Sequence, residues 1–205
     1  DDSVKTVFIF PGQGAQYIQM GVRLATSEIV FKEALEEISS IYKKYTDWDL
    51  LIEINKPEHE SRLNEIDIVQ PALVAIEIAL AKLWISKGVV PDMVVGHSMG
   101  EVAAACIAGN ITLDEAALII ITRSRLMKKK KKKGEMGVTD LTVEEATKIL
   151  ENYSGQLSIA VLNSKNSTVI SGTSNALNEV FETLENQGRF NRKVKVDVAS
   201  HSPQM

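Results

Sequence analysis

The segment Gly96-His97-Ser98-Met99-Gly100 follows the apolar run Pro91-Asp-Met-Val-Val95 and leads into a run of small residues, Glu101–Ala108. No other feature constrains the chain as much. A G-x-S-x-G pentapeptide between a strand and a helix requires a sharp turn, which its two glycines permit. That turn lifts the serine hydroxyl above the edge of a sheet. The helix behind it offers free backbone N–H groups and the positive end of its dipole, a setting suited to an oxyanion. The pentapeptide alone arises by chance in many chains, and the plain alternative is a strand-to-helix turn with a capping serine. The strand-to-helix setting makes Ser98 a candidate nucleophile.

Other segments extend this into a fold. Thr6–Phe10 is a continuous apolar run of the kind buried on both faces of a parallel sheet, and it stops at Pro11-Gly12-Gln13-Gly14. Glu28–Tyr42 has apolar residues at helical spacing. Pro71–Lys87 reads as a helix with proline in its first turn and Gly88 at its end. Leu113–Met127 reads as a helix capped by Thr112.

Beyond the lysine run 128–133 the pattern changes. Met136–Leu141 is expected to be a strand. Val143–Tyr153 is expected to be a helix, with Thr142 as cap and Glu145 three residues on. Leu157–Leu162 and Ser167–Ser171 read as paired strands, Ser174–Asn186 as a helix and Arg192–Ala199 as a last strand. The order βαββαβ is that of a small ferredoxin-like lobe. The fold class is therefore α/β: a hydrolase-like large lobe with a parallel sheet over residues 1–127, to which 200–205 return, and a ferredoxin-like small lobe over 128–199.

Composition narrows the function. With 23 Lys+Arg against 27 Asp+Glu and a net charge of -4, the chain is no generic nucleic-acid binder, and six of those cations sit in one run, Lys128–Lys133. That run could attract phosphates or an acidic partner, or could simply be a solvated loop. The single cysteine excludes an internal disulfide and fits a reducing compartment. The most apolar region, Ile68–Ile85, is interrupted by Gln70, Pro71, Glu77 and Lys82, so no membrane span is expected. The starting Asp1-Asp2 is unlike a signal peptide, and a cytoplasmic protein is expected.

A serine needs a base to attack at neutral pH. Of three histidines, His59 lies in a charged loop and His97 adjoins the serine on the turn, where a structural role is expected. His201 lies just past the last expected strand and is the base candidate by elimination. No acid stands out as a third member; Asp197 is near His201 in sequence, but its direction is open.

Four segments together, Phe10–Gln16, Gly96–Glu101, Thr122–Met127 and Ala199–Pro203, resemble the acyltransferase domain of modular polyketide synthases, within the malonyl-CoA:acyl-carrier-protein transacylase family. The resemblance covers nearly the whole chain. It implies that Ser98 carries the acyl group as an ester and that His201 is general base and acid. It also implies that Gln13 and the Met99 amide form an oxyanion hole, and that Arg123 grips the carboxylate of a malonyl-type unit. Gln70 and Ala199 are implied as substrate-binding residues. A planar guanidinium suits that grip because it pairs with a carboxylate through two parallel bonds. The resemblance implies acyl-CoA as substrate, no bound cofactor or metal, and as partners a carrier protein with its phosphopantetheine arm and neighbouring synthase domains. Set beside the family pattern, the chain stops at Met205, soon after the His segment, and the C-terminal part of the large lobe is expected to be absent.

Asp67–Pro71 and Val198–His201 are similar to methylmalonyl-type patterns, in which a small Ala199 leaves room for an α-methyl branch; malonyl is the other possibility. Two rival functions use the same residues: a serine hydrolase built on the same elbow, and a non-catalytic docking segment of a larger synthase.

Overall fold

The computed structural model describes residues 5–129, 134–194 and 201–203. The chain divides into two compact units, Asp1–Arg125 and Leu126–Met205.

The first unit holds β1 (Val7–Phe10), α1 (Val22–Ser27), α2 (Ile29–Tyr42), α3 (Leu50–Asn55), α4 (Ile66–Ser86), β2 (Met93–Gly96) and α5 (Gly100–Ile107). The boundary falls inside α6 (Leu113–Lys129). β1 and β2 pair in parallel, with Phe10 opposite Gly96. Parallel pairing puts both C-terminal strand ends at one edge, so Pro11–Gly14 and His97–Met99 leave the sheet side by side. The His97 amide extends the pairing by donating to the Phe10 carbonyl at 2.9 Å.

Phe31, Leu35, Ile38 and Tyr42 recur along one face of α2 and are buried with Ile68, Val69, Ala72, Ala75 and Ile78 of α4. The Tyr42 hydroxyl, fully desolvated, donates to the Pro71 carbonyl at 3.0 Å and ties the two helices together. α4 starts five residues before the proline at which its start was expected. It runs unbroken through Gln70, Pro71, Glu77 and Lys82, and by length and composition it is apolar enough to cross a membrane. Most of its surface is buried within the unit, as in the core helix of a globular protein.

The sheet differs from expectation. Phe8, Phe10 and Val94 pack on the helices, but their alternate neighbours do not: Ile9 is 73% and Val95 54% exposed. Among the described residues only one face of the pair is covered, although the apolar run suits burial on both. A groove of about 570 Å³ beside β1 and α4 is lined by Val7, Ile9, Leu73, Glu77 and Trp84 among others.

Burial pushes the Glu77 carboxyl up to about 8, and its Oε2 is buried with no hydrogen-bond partner. A carboxyl raised in the folded state stabilises fully only below the ordinary Glu range. That contribution is lost as pH rises toward about 8, where the folded protein must also ionise it. Glu77→Gln is expected to flatten this decline and to raise stability at pH 8.5 by on the order of 2 kcal/mol. Urea unfolding of both proteins at pH 5 and 8.5 checks it; equal pH dependence would refute the assignment.

The second unit contains β3 (Glu135–Thr139), α7 (Val143–Leu150), β4 (Leu157–Ser164), β5 (Ser167–Gly172), α8 (Ser174–Asn186) and β6 (Asn191–Val194). The strands are all antiparallel in the order β4-β5-β3-β6, which is the ferredoxin-like topology. Leu157, Ile170, Leu177, Val180, Phe181 and Leu184 form its core. Thr142 and Glu145 close a capping box on α7. Arg189 binds the same Glu145 at 3.1 Å and holds its carboxyl down to about 2. α7 ends at Leu150 and continues as a 3-10 turn to Tyr153, which accounts for the longer helix expected there.

Of the last expected strand, residues 195–199 lie outside the described residues, as do lysines 130–133. Residues 201–203 group with the second unit, whereas the sequence reading returned 200–205 to the first. A side chain of β4 holds them there: the Ser158 hydroxyl donates to the His201 carbonyl at 2.8 Å.

Candidate active site

Ser98 has a φ of 53°, the left-handed region that non-glycine residues enter only when their surroundings force them. The surroundings are tight. A Cβ added at Gly96 would lie 2.4 Å from the Glu101 Cα, and one at Gly100 would lie 2.2 Å from the Phe10 carbonyl oxygen. Only glycine lets α5 start this close to both strand ends. The Gly100 and Glu101 amides bond back to the His97 and Ser98 carbonyls at 3.0 and 3.1 Å, which closes the turn. Met99 is buried at the cap position of α5, and its amide is the first after the serine.

Arg123 extends from α6, and its Nη2 donates to the Ser98 Oγ at 3.2 Å. Its Nη1 donates to the Gln70 Oε1 of α4. Gln70 in turn donates through Nε2 to the Gln13 Oε1 at 3.1 Å. Four candidates named from the sequence thus form one hydrogen-bonded chain, Gln13–Gln70–Arg123–Ser98, contributed by four different elements. Burial pulls the Arg123 pKa down from its ordinary value while the charge of Glu101 opposes the change. A guanidinium starts so high that it stays cationic. The site therefore holds a fixed, partly desolvated positive charge against a serine hydroxyl.

His97 contributes through its backbone; its ring also lies beside Gly12, where a Cβ would meet Nδ1 at 2.8 Å. His59 is exposed and sits 3.3 Å from Glu60, the solvated setting expected of it. His201 belongs to the second unit, with φ 55°, and its carbonyl is held by Ser158. Ala199 and Asp197 lie outside the described residues. Sequence reasoning passed over Ser158 and the bridging geometry of Gln70; neither carries a local signal, since each acts through a partner distant in sequence. Among the described residues no group of three or more His, Cys, Asp or Glu side chains is placed to hold a metal ion.

Comparison with known proteins bears on the family and the fold. Residues 7–205 match the profile of a family described as acyl transferase domain. The chain is 44% identical over its whole length to the polyketide synthase GfsA of Streptomyces halstedii, of which it spans 3%. The crystal structure of the acyltransferase domain from module 8 of the salinomycin polyketide synthase superposes with a TM-score of 0.92 at 37% identity. That match covers 98% of this chain and 47% of the solved one. The malonyl CoA-acyl carrier protein transacylase of Coxiella burnetii superposes with a TM-score of 0.87 at 31% identity, over 98% of this chain and 64% of that one. The chain spans about half of the solved salinomycin domain and only a small part of the synthase.

Proposed function

The chain belongs to the acyl transferase domain family, and from that footing we propose that it moves a malonyl-type acyl unit from coenzyme A to the phosphopantetheine thiol of a carrier protein through an ester on Ser98. The observation that carries the reading is the Arg123 guanidinium, 3.2 Å from the Ser98 hydroxyl. In a malonyl unit a single carbon separates the free carboxylate from the thioester carbonyl. A carboxylate held by Arg123 therefore brings that carbonyl to the nucleophile. A simple esterase has no use for a cation there.

The steps follow. His201 takes the proton as the Ser98 Oγ attacks the thioester carbonyl, and the developing oxyanion is met by the Met99 amide and by Gln13. The C–S bond breaks, and His201 returns its proton to the departing thiolate of coenzyme A. The carrier's thiol then gives its proton to His201 and attacks the ester, and Ser98 leaves with that proton restored. The roles of His201, Gln13 and Met99 rest on the resemblance of the segments Phe10–Gln16, Gly96–Glu101 and Ala199–Pro203 to the family's. The segments at Asp67–Pro71 and Val198–His201, similar to methylmalonyl-type patterns, favour a methylmalonyl unit.

The test is competition: intact-protein mass after brief incubation of the full-length protein with equal malonyl-CoA and methylmalonyl-CoA, with Ser98→Ala as control. A methylmalonyl adduct on the wild type, absent from the variant, is expected. A dominant malonyl adduct would overturn the choice of unit, and no adduct at all would overturn acyl transfer. Rapid loss of the adduct to water, rather than to an added thiol, would favour a hydrolase.

A further inference from the structure

Gln70 sits in the most apolar helix of the first unit and is only 3% exposed. Burying a carboxamide to that extent is unfavourable unless its polar atoms find partners. Both ends have them. Oε1 accepts from Arg123 and Nε2 donates to Gln13. The amide is planar, so the two partners are fixed relative to each other. The backbone behind is also pinned, because the next residue's carbonyl accepts from the buried Tyr42 hydroxyl.

The sequence led to the expectation that Gln70 binds substrate; each of its two polar atoms is engaged by a side chain of the site. We infer that Gln70 is a positioning residue: it holds one arm of the Arg123 guanidinium so that the other faces Ser98, and it keeps the Gln13 carboxamide in register with that arm. Carboxylate grip and oxyanion loop are thereby set by a single buried amide. This rests on the acyl-transfer reading above.

The inference separates from a general packing role through substrate charge. A structural defect slows every acyl thioester alike. A misplaced guanidinium penalises those that carry a free carboxylate. Steady-state release of coenzyme A by the full-length protein is measured with methylmalonyl-CoA, malonyl-CoA and uncharged propionyl-CoA, in wild type, Gln70→Leu and Gln70→Glu. Gln70→Leu is expected to lower the preference for carboxylated over uncharged thioesters by about tenfold, the worth of one charge-assisted hydrogen bond, with the change mainly in KM. Gln70→Glu is isosteric and guards against misfolding. Its carboxylate still accepts from Arg123, but it competes with the substrate for the cation and cannot donate to Gln13. Its preference is expected to fall at least as far. Equal slowing of all three thioesters, or an unaltered preference, in folded Gln70→Leu or in Gln70→Glu would overturn the inference and leave acyl transfer standing. A wild type that forms no Ser98 ester would overturn both.

Discussion

Replacing Arg123 by lysine is expected to lower kcat/KM for carboxylated acyl thioesters by about a hundredfold, or roughly 2.7 kcal/mol of transition-state binding. The charge is conserved, so the loss isolates geometry. Arg123 reaches Gln70 through Nη1 and the Ser98 hydroxyl through Nη2, and only a planar fork with several donors meets both while presenting an edge to a carboxylate. An ammonium is a single point; it can approach one of these partners at the expense of the other. The environment adds a second signature. Burial already pulls the arginine pKa down, and a lysine in the same place starts lower and is pulled down by the same desolvation. Activity of the lysine variant should therefore fall further as pH rises through 8, while wild type has no such loss from this residue. Steady-state kinetics at pH 7 and pH 9 decide it. A lysine variant within about threefold of wild type at both would show that a diffuse positive charge suffices, contrary to the bidentate argument.

What could be read from the sequence, and what could not, divides by distance along the chain. The elbow at Ser98 was legible because its causes are local: a strand, two glycines and a small-residue helix within a dozen positions. The capping box of α7 and the Thr112 cap of α6 were legible for the same reason, each a hydroxyl bonding an amide three residues on. The start of α4 was not. Proline favours a first turn, so the helix was expected to open at Pro71, yet Ile66, Ile68 and Val69 are buried. Their packing outweighs the hydrogen bond that an interior proline forfeits. The six-residue α3 was missed although Asp49 caps it, accepting from the Leu51 and Ile52 amides at 2.8 and 3.2 Å, because so short a helix has no periodicity to detect. Gln13, Gln70 and Arg123 came from the family resemblance. Their connection did not, since Gln70 is 57 residues from Gln13 and 53 from Arg123. Only the folded chain brings such partners together.

The interlock beneath the nucleophile gives the second large effect. Gly100→Ala is expected to cost about 3 kcal/mol or more, because its new Cβ would meet backbone rather than a movable side chain. The Phe10 and Pro11 carbonyl oxygens would lie 2.2 and 2.5 Å away. For a chain of this size that corresponds to a Tm lower by about 10 °C. Gly109→Ala serves as the contrast. Gly109 has φ +75° but nothing within 4 Å of an added Cβ, so the substitution adds only backbone strain, about 1–2 kcal/mol. The two substitutions should differ in function as well. Relief of the clash at Gly100 requires Phe10 and Pro11 to retreat, and the Gln13 loop continues directly from them. Gly100→Ala should then lose activity even at temperatures where it is fully folded, whereas Gly109→Ala should retain it. Melting within about 3 °C of wild type for Gly100→Ala would mean that the two strand ends part easily. The strained φ of Ser98 would then be held by something other than their close approach.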